Sequence, residues 1–162
     1  EGVTRIDVQS ARQMLEAVRL HLPEYGMFVA TAAVADWRPA EAAEHKIKKD
    51  GSGQVPAMAF VENPDILATV AQTPQAQNGA LFCVGFAAES QDLEANAQAK
   101  RLRKQVPLLV GNIGPATFGK DDNALLLVDA EGITELPHAS KRVLAQQLVA
   151  EIARRLPDTR SA

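Results

Sequence analysis

The sequence predicts an α/β domain: a mainly parallel sheet with helices on both faces and an antiparallel hairpin near the C-terminus. Three observations carry this expectation. Nearly continuous apolar runs at Met27 to Val34, Leu81 to Phe86 and Leu108 to Val110 read as strands covered on both sides. Helical patterns with short links separate them, and strand–helix–strand repetition of that kind builds parallel sheets. Later, Asp129-Ala130-Glu131-Gly132 divides Ala124 to Val128 from Ile133 to Leu136, which is a hairpin signal.

Taken in order, Val3 to Val8 (VTRIDV) is a short extended candidate. Ser10 opens a helix with Gln13 three residues on, the spacing of a capping box. Ala11, Leu15, Val18 and Leu22 follow at helical intervals, and Pro23 is expected to end the run. After the strand at Met27, the polar stretch from Asp36 to Gln54, with Gly51-Ser52-Gly53 inside it, reads as a long loop. Met58 to Val61 is a weaker strand. Asn63-Pro64-Asp65-Ile66 places Asn at a helix cap and Pro in the first helical position. Ser90 and Asp92 lead a helix through Lys104 that is acidic early and basic late, as the helix dipole favours. Leu144, Leu148 and Ile152 mark the last helix, and residues from Pro157 read as a tail. Residues 1–156 are thus expected to form one domain.

The chain has 162 residues, with 17 Lys+Arg against 20 Asp+Glu and a net charge of −3. One domain suits this length, and the acidic balance speaks against general nucleic-acid binding. No apolar run reaches the ~18 residues of a membrane-spanning helix, so no membrane partner is expected. The single cysteine, Cys83, excludes an internal disulfide, and a cytoplasmic setting follows as the expectation. The start at Glu1-Gly2-Val3, with neither initiator Met nor signal peptide, reads as a piece of a longer polypeptide.

Ligands of open α/β sheets bind at the carboxyl ends of the strands. Here those ends carry Ala32-Ala33-Val34-Ala35-Asp36, Gly85-Phe86-Ala87-Ala88-Glu89 and Gly111-Asn112-Ile113-Gly114. Small residues there either admit a ligand to the backbone or simply allow tight strand–helix packing, and both readings stay open. Lys46-Ile47-Lys48-Lys49 either neutralises a polyphosphate or forms a solvated surface. Lys100 and Lys104 share one helix face or serve only as last-turn cations, while Arg101 and Arg103 are expected on other faces. His21, His45 and His138 are scattered, so no protein-built metal cage is expected. No GxSxG, GxGxxG or GxxxxGK[ST] occurs, and Cys83 inside an apolar strand reads as a small buried hydrophobe. Trp37 is either a packing lid or a shield over a site.

The strings AAVADWRP, KIKK, NPDIL, GFAAE, KRLRK and FGKDDNALLLVD, in that order, resemble bacterial phosphopantothenate–cysteine ligase, the synthetase half of the bifunctional coenzyme A biosynthesis flavoprotein. The resemblance runs from about Val3 to Leu156. It implies a Rossmann-like fold and a CTP- and Mg²⁺-dependent reaction in two steps. The carboxylate of 4′-phosphopantothenate attacks the α-phosphate of CTP, giving an acyl-cytidylate and pyrophosphate; the amine of cysteine then displaces CMP.

By the same resemblance, Lys46 is the catalytic lysine on a flap over the site and contacts the nucleotide. Ala32, Ala33 and Asn112 border the phosphopantothenate and its acyl intermediate. Asp36, Pro64, Asp65, Ile66, Leu67, Phe86, Lys100 and Lys104 bind the nucleotide, Asp36 through either the ribose or the metal. A homodimer is implied, with the hairpin from Ala124 to Leu136 as a contact edge. The family's glycine-rich first turn and an Asn-containing loop lie upstream of Glu1, and its flavin-dependent half is absent, so no FMN is expected. Gly111-Asn112-Ile113 stands where Ala-Asn-Asp is expected. Two other readings compete: an NADPH-binding oxidoreductase domain, which lacks its GxGxxG here, and a non-catalytic dimerisation fragment.

Overall fold

A computed structural model describes residues 2–41, 57–89, 92–113 and 119–156. The lysine run from Lys46, the Gly51-Ser52-Gly53 stretch, Ser90 and the tail from Pro157 lie outside the described residues.

Helix α1 (Ala11–His21) starts at the expected capping box. The Ser10 hydroxyl accepts the Gln13 amide at 3.2 Å, and Gln13 Oε1 accepts the Ser10 amide at 3.1 Å. Pro23 does not stop the chain's coiling as expected. It sits in the first turn of a short 3-10 segment, Leu22–Glu24, where a missing N–H costs nothing. The Val3 to Val8 run forms no strand, and Val3 is 87% exposed.

Strand β1 (Met27–Ala30) is shorter than the apolar run that contains it. Part of the expected loop is ordered as β2 (Trp37–Pro39), which pairs antiparallel with β3 (Phe60–Glu62) in a separate ribbon. Composition misleads here because Pro39 and the charged neighbours look like loop, yet the Arg38 guanidinium donates to Glu62 O at 2.6 Å and closes the pair. Helix α2 (Ile66–Ala71) begins two residues later than the Asn–Pro signal suggests. Asp65 is its cap, with Oδ1 accepting the Ala68 amide at 3.0 Å. Helix α3 (Pro74–Gln77), capped by Thr73, completes the crossover to β4 (Phe82–Glu89). Then follow α4 (Leu93–Lys104), β5 (Leu108–Ile113), β6 (Asp122–Val128), β7 (Ile133–Ser140) and α5 (Lys141–Arg155).

The main sheet has the order β1-β4-β5-β6-β7. Its first three strands run parallel, from Met27 beside Phe82 and Val84 beside Leu108, and the β6–β7 hairpin adds to β5 antiparallel. Helices cover both faces, as the sequence predicts. Cys83, Ala87 and Leu109 point into one core with Val70 of α2 and Ala97 of α4. Val84, Leu108, Val110 and Leu127 point into the other, against Leu144, Leu148 and Ile152 of α5. The expectation that the first apolar strand is covered on both faces is corrected. Among the described residues β1 pairs with β4 alone, and Met27 and Val29 are each 38% exposed while Phe28 packs into the core.

Two strand glycines set how near the helices come. A Cβ on Gly85 would meet Leu67 Cδ2 at 2.5 Å and Leu109 Cδ1 at 2.9 Å; one on Gly111 would meet Leu93 Cδ1 at 3.0 Å. At these two positions the packing reading prevails over the ligand-access reading. Cys83 is buried in β4, and burial pushes its thiol up to about 11.

The hairpin turn is tied down by an ion-paired network. Asp129 Oδ1 accepts the amides of Glu131 at 2.8 Å and Gly132 at 3.0 Å. Its Oδ2 accepts Arg155 Nε at 2.8 Å, and Arg155 also pairs with Glu151. Burial works to raise the Asp129 carboxyl, but the Arg155 bond and the two turn amides outweigh it and hold the group below its usual range. Glu151 is lowered by its bonds from Arg154 and Arg155. No helix among the described residues is long and apolar enough to cross a membrane.

Two stability outcomes follow. Gly85→Ala should lower the urea-derived stability by about 1–3 kcal/mol, since two leucine methyls must move. Arg155→Met should cost about 2 kcal/mol at neutral pH. Asp129 and Glu151 have lowered values in the folded state, so their contribution is complete above the ordinary carboxylate range near 4 and fades as pH falls through the lowered values. The variant's loss relative to the parent should therefore shrink on acidification; equal losses at pH 7 and pH 3 would refute the account.

Candidate functional site

At the carboxyl ends of β1 and β4 lies a cavity of about 430 Å³. Three chain segments wall it. The connection after β1 supplies Ala32, Ala33 and Asp36; the turn into α2 supplies Pro64, Asp65, Ile66 and Leu67; the last turn of α4 supplies Lys100 and Lys104. Phe86 of β4, which also packs against the core under α5, contributes to the lining. The structure therefore gathers ten residues that the sequence singles out, although they are spread over 73 positions from Ala32 to Lys104. Asn112 is not on this wall. It lies on β5 in register with Ala88, which is. Lys46 lies outside the described residues.

The turn into α2 takes its shape from hydrogen bonds that span the chain. The Asn63 amide donates to Asp36 O at 2.7 Å, its Nδ2 donates to Ala35 O at 2.8 Å, and its Oδ1 accepts Arg38 Nη1 at 3.0 Å. Asp65, released from that task, caps α2 and also pairs with Lys104 Nζ. The Lys104 side chain is only 20% exposed. With its side chain committed to Ala35 O and Arg38, Asn63 is not the cap, and Asp65 takes that role two residues later.

The expectation that Arg103 lies on another face is corrected, for it stands on the cavity wall beside Lys100 and Lys104. Positions i, i+3 and i+4 share one helix stripe, so the signal was in the spacing. Arg101 faces away toward Val106 O, at 3.4 Å. Asn63 and Glu62 are the other polar wall residues the sequence reading did not assign to a site, and Met14, Phe28 and Ala30 add apolar lining. Trp37 is 62% exposed in β2 and does not line the cavity.

Chemically, the lining combines small apolar residues at Ala32 and Ala33 with three cations, Lys100, Arg103 and Lys104, and three carboxylates, Asp36, Glu62 and Asp65, the last paired with Lys104. Such a combination suits a ligand with an uncharged body and a phosphate-bearing end. Among the described residues no group of three or more His, Cys, Asp or Glu forms a metal cage.

Comparison with known proteins points the same way. The family described as the DNA/pantothenate metabolism flavoprotein C-terminal domain matches residues 1–156. The chain is 42% identical over 151 residues to the coenzyme A biosynthesis bifunctional protein CoaBC of Vibrio cholerae serotype O1, covering 91% of the chain and 37% of that protein. It is 39% identical over 157 residues to the CoaBC of Escherichia coli K12, covering 94% and 38%. Thus the chain spans well under half the length of these relatives. The crystal structure of the C-terminal domain of a CoaBC superposes with a TM-score of 0.72 at 28% identity, covering 95% of this chain and 66% of that one. A Cab2 mutant in complex with phosphopantothenate-cysteine, at 18% identity and a TM-score of 0.65, covering 92% and 52%, shares the fold.

The double duty of Asp65 can be separated. Asp65→Asn should keep the cap and lose the Lys104 ion pair, changing stability by under about 1 kcal/mol because the pair is partly exposed. Asp65→Ala should lose both and cost about 1 kcal/mol more. Urea denaturation of the two variants checks this, and equal losses would refute the cap.

Proposed function

The chain belongs to the DNA/pantothenate metabolism flavoprotein C-terminal domain family, and on that premise we propose that residues 1–156 are part of a phosphopantothenate–cysteine ligase domain of coenzyme A biosynthesis that uses CTP through an acyl-cytidylate. The observation that carries this reading is the cavity in which Ala32 and Ala33 face Lys100, Arg103 and Lys104.

In this reading the alanine side receives the pantothenate body, where any larger side chain would occupy the space. The three α4 cations receive the triphosphate. Their charge matters most when negative charge moves onto the departing pyrophosphate, as the substrate carboxylate attacks the α-phosphorus. The ion pair with Asp65 holds Lys104 near its working position before the nucleotide arrives, which lowers the ordering cost of binding. Lys46 supplies a further cation from the segment that follows β2. In the second step the cysteine amine attacks the acyl carbon and CMP leaves; this step depends on positioning more than on a nucleophilic side chain.

Mg²⁺ bound to nucleotide phosphates needs only one or two protein carboxylates. Asp36 and Glu62 are on the wall, so the donor set fits a metal that arrives with CTP and neutralises phosphate charge there. Asn112, beside Ala88, belongs to the intermediate's side of the site in this reading. The homodimer belongs to the same proposal. Among the described residues β7 pairs only with β6, and its outer edge is where a second copy would add.

Mg·CTP should raise the melting point by several degrees, because a ligand at 100 times its Kd adds about 2.7 kcal/mol. Mg·ATP and NADPH should do so less. Lys100→Ala and Lys104→Ala should each weaken CTP binding about tenfold or more, the loss of a charged contact worth about 1.5–3 kcal/mol. A response to NADPH alone would assign a dinucleotide-binding domain instead. Lys46→Gln should abolish cytidylate formation in the full-length protein; unaffected cytidylate formation would overturn its role.

A further inference from the structure

Asn63 employs its backbone amide and both ends of its side chain in contacts with residues 25 to 28 positions earlier in the chain. Two of its partners, Ala35 O and Asp36 O, belong to the irregular connection that carries Ala32, Ala33 and Asp36 to the cavity. The third, Arg38, is fixed at its other contact by Glu62 O at 2.6 Å. On its far side Asn63 is bonded to Pro64, whose ring fixes its own φ and restricts the residue before it, and then to Asp65, the cap of α2 and partner of Lys104. One residue thus joins the alanine wall to the wall that holds Lys104.

We propose that Asn63 is a positioning residue, a clasp that sets the spacing between the two walls and so the fit of a nucleotide-bearing ligand between them. The inference deepens the ligase reading and rests on it for the identity of the ligand. The Asp36 contact is made by the backbone, but no other side chain satisfies the remaining two. Aspartate keeps the Arg38 contact but has no donor for Ala35 O, and it places two acceptors face to face. Glutamine has the groups but is one methylene too long to reach both partners from the same backbone position.

The test uses the whole chain with two readouts. Hydrogen–deuterium exchange follows the segment 31–39 without ligand, and calorimetry gives the affinity for Mg·CTP. Asn63→Asp should raise exchange in that segment at least tenfold while leaving exchange in β4 and β5 unchanged, and should weaken Mg·CTP about tenfold. Arg38→Met, which leaves the Asn63 amide group in place, should show a smaller change in both. Unchanged exchange in 31–39 would overturn the clasp, and so would a loosened segment with unchanged affinity. If the parent protein binds no nucleotide, the exchange readout still decides for or against the clasp, and the nucleotide reading alone falls.

Discussion

A helix can lie close over a parallel sheet only where the strand beneath it leaves room. In this domain the room is made at Gly85 and Gly111, and the side chains of Leu67 and Leu93 fill it. With Leu67 seated over β4, α2 is fixed in height and direction; with Leu93 and Ala97 over β5, so is α4. The first turn of one helix and the last turn of the other then meet, and Asp65 reaches Lys104 although 39 positions separate them. The charged side of the cavity is a by-product of packing two apolar helix faces against adjacent strands.

The opposite side of the cavity has no such support. The chain after β1 leaves the sheet at Ala30 and has no regular structure until Trp37. Its backbone carbonyls need partners, and Asn63 provides two of them. The site therefore combines a wall placed by hydrophobic packing with one placed by a few hydrogen bonds. The first is expensive to move, because packing losses accumulate over many contacts. The second opens by breaking few bonds, which suits a place where substrates must enter and products leave.

The difference maps onto what could be read from sequence. Leu81 to Phe86 and Leu108 to Val110 are legible as strands because a strand buried on both faces has to be apolar throughout, and the capping box at Ser10 is legible because it is a contact between near neighbours. Lys100 and Lys104 were visible as one stripe, and the same arithmetic applied to Arg103 would have added it. Asn63 was not legible as a clasp. An Asn before Pro looks like a cap, and only its partners at Ala35, Asp36 and Arg38 show otherwise. β2 was hidden for a related reason: a three-residue strand with a proline leaves no periodicity to detect. The choice between ligand access and packing at Gly85 and Gly111 also needed the third dimension, for it turns on where Leu67 and Leu93 point. The lysine run from Lys46, which carries much of the resemblance to the ligase family, lies outside the described residues.

The burial of Cys83 has a practical side. With its thiol pushed up to about 11 by burial, Cys83 stays protonated and unreactive at neutral pH. The side chain is also shut between α2 and the sheet, in the core that includes Val70 and Ala87. Because it is the sole cysteine in the chain, a thiol-selective reagent has one target, and that target becomes available when the α2 layer lifts from β4. The rate of thiol modification is thus a natural clock for opening of this layer, readable by mass in unfractionated samples and without introducing a label.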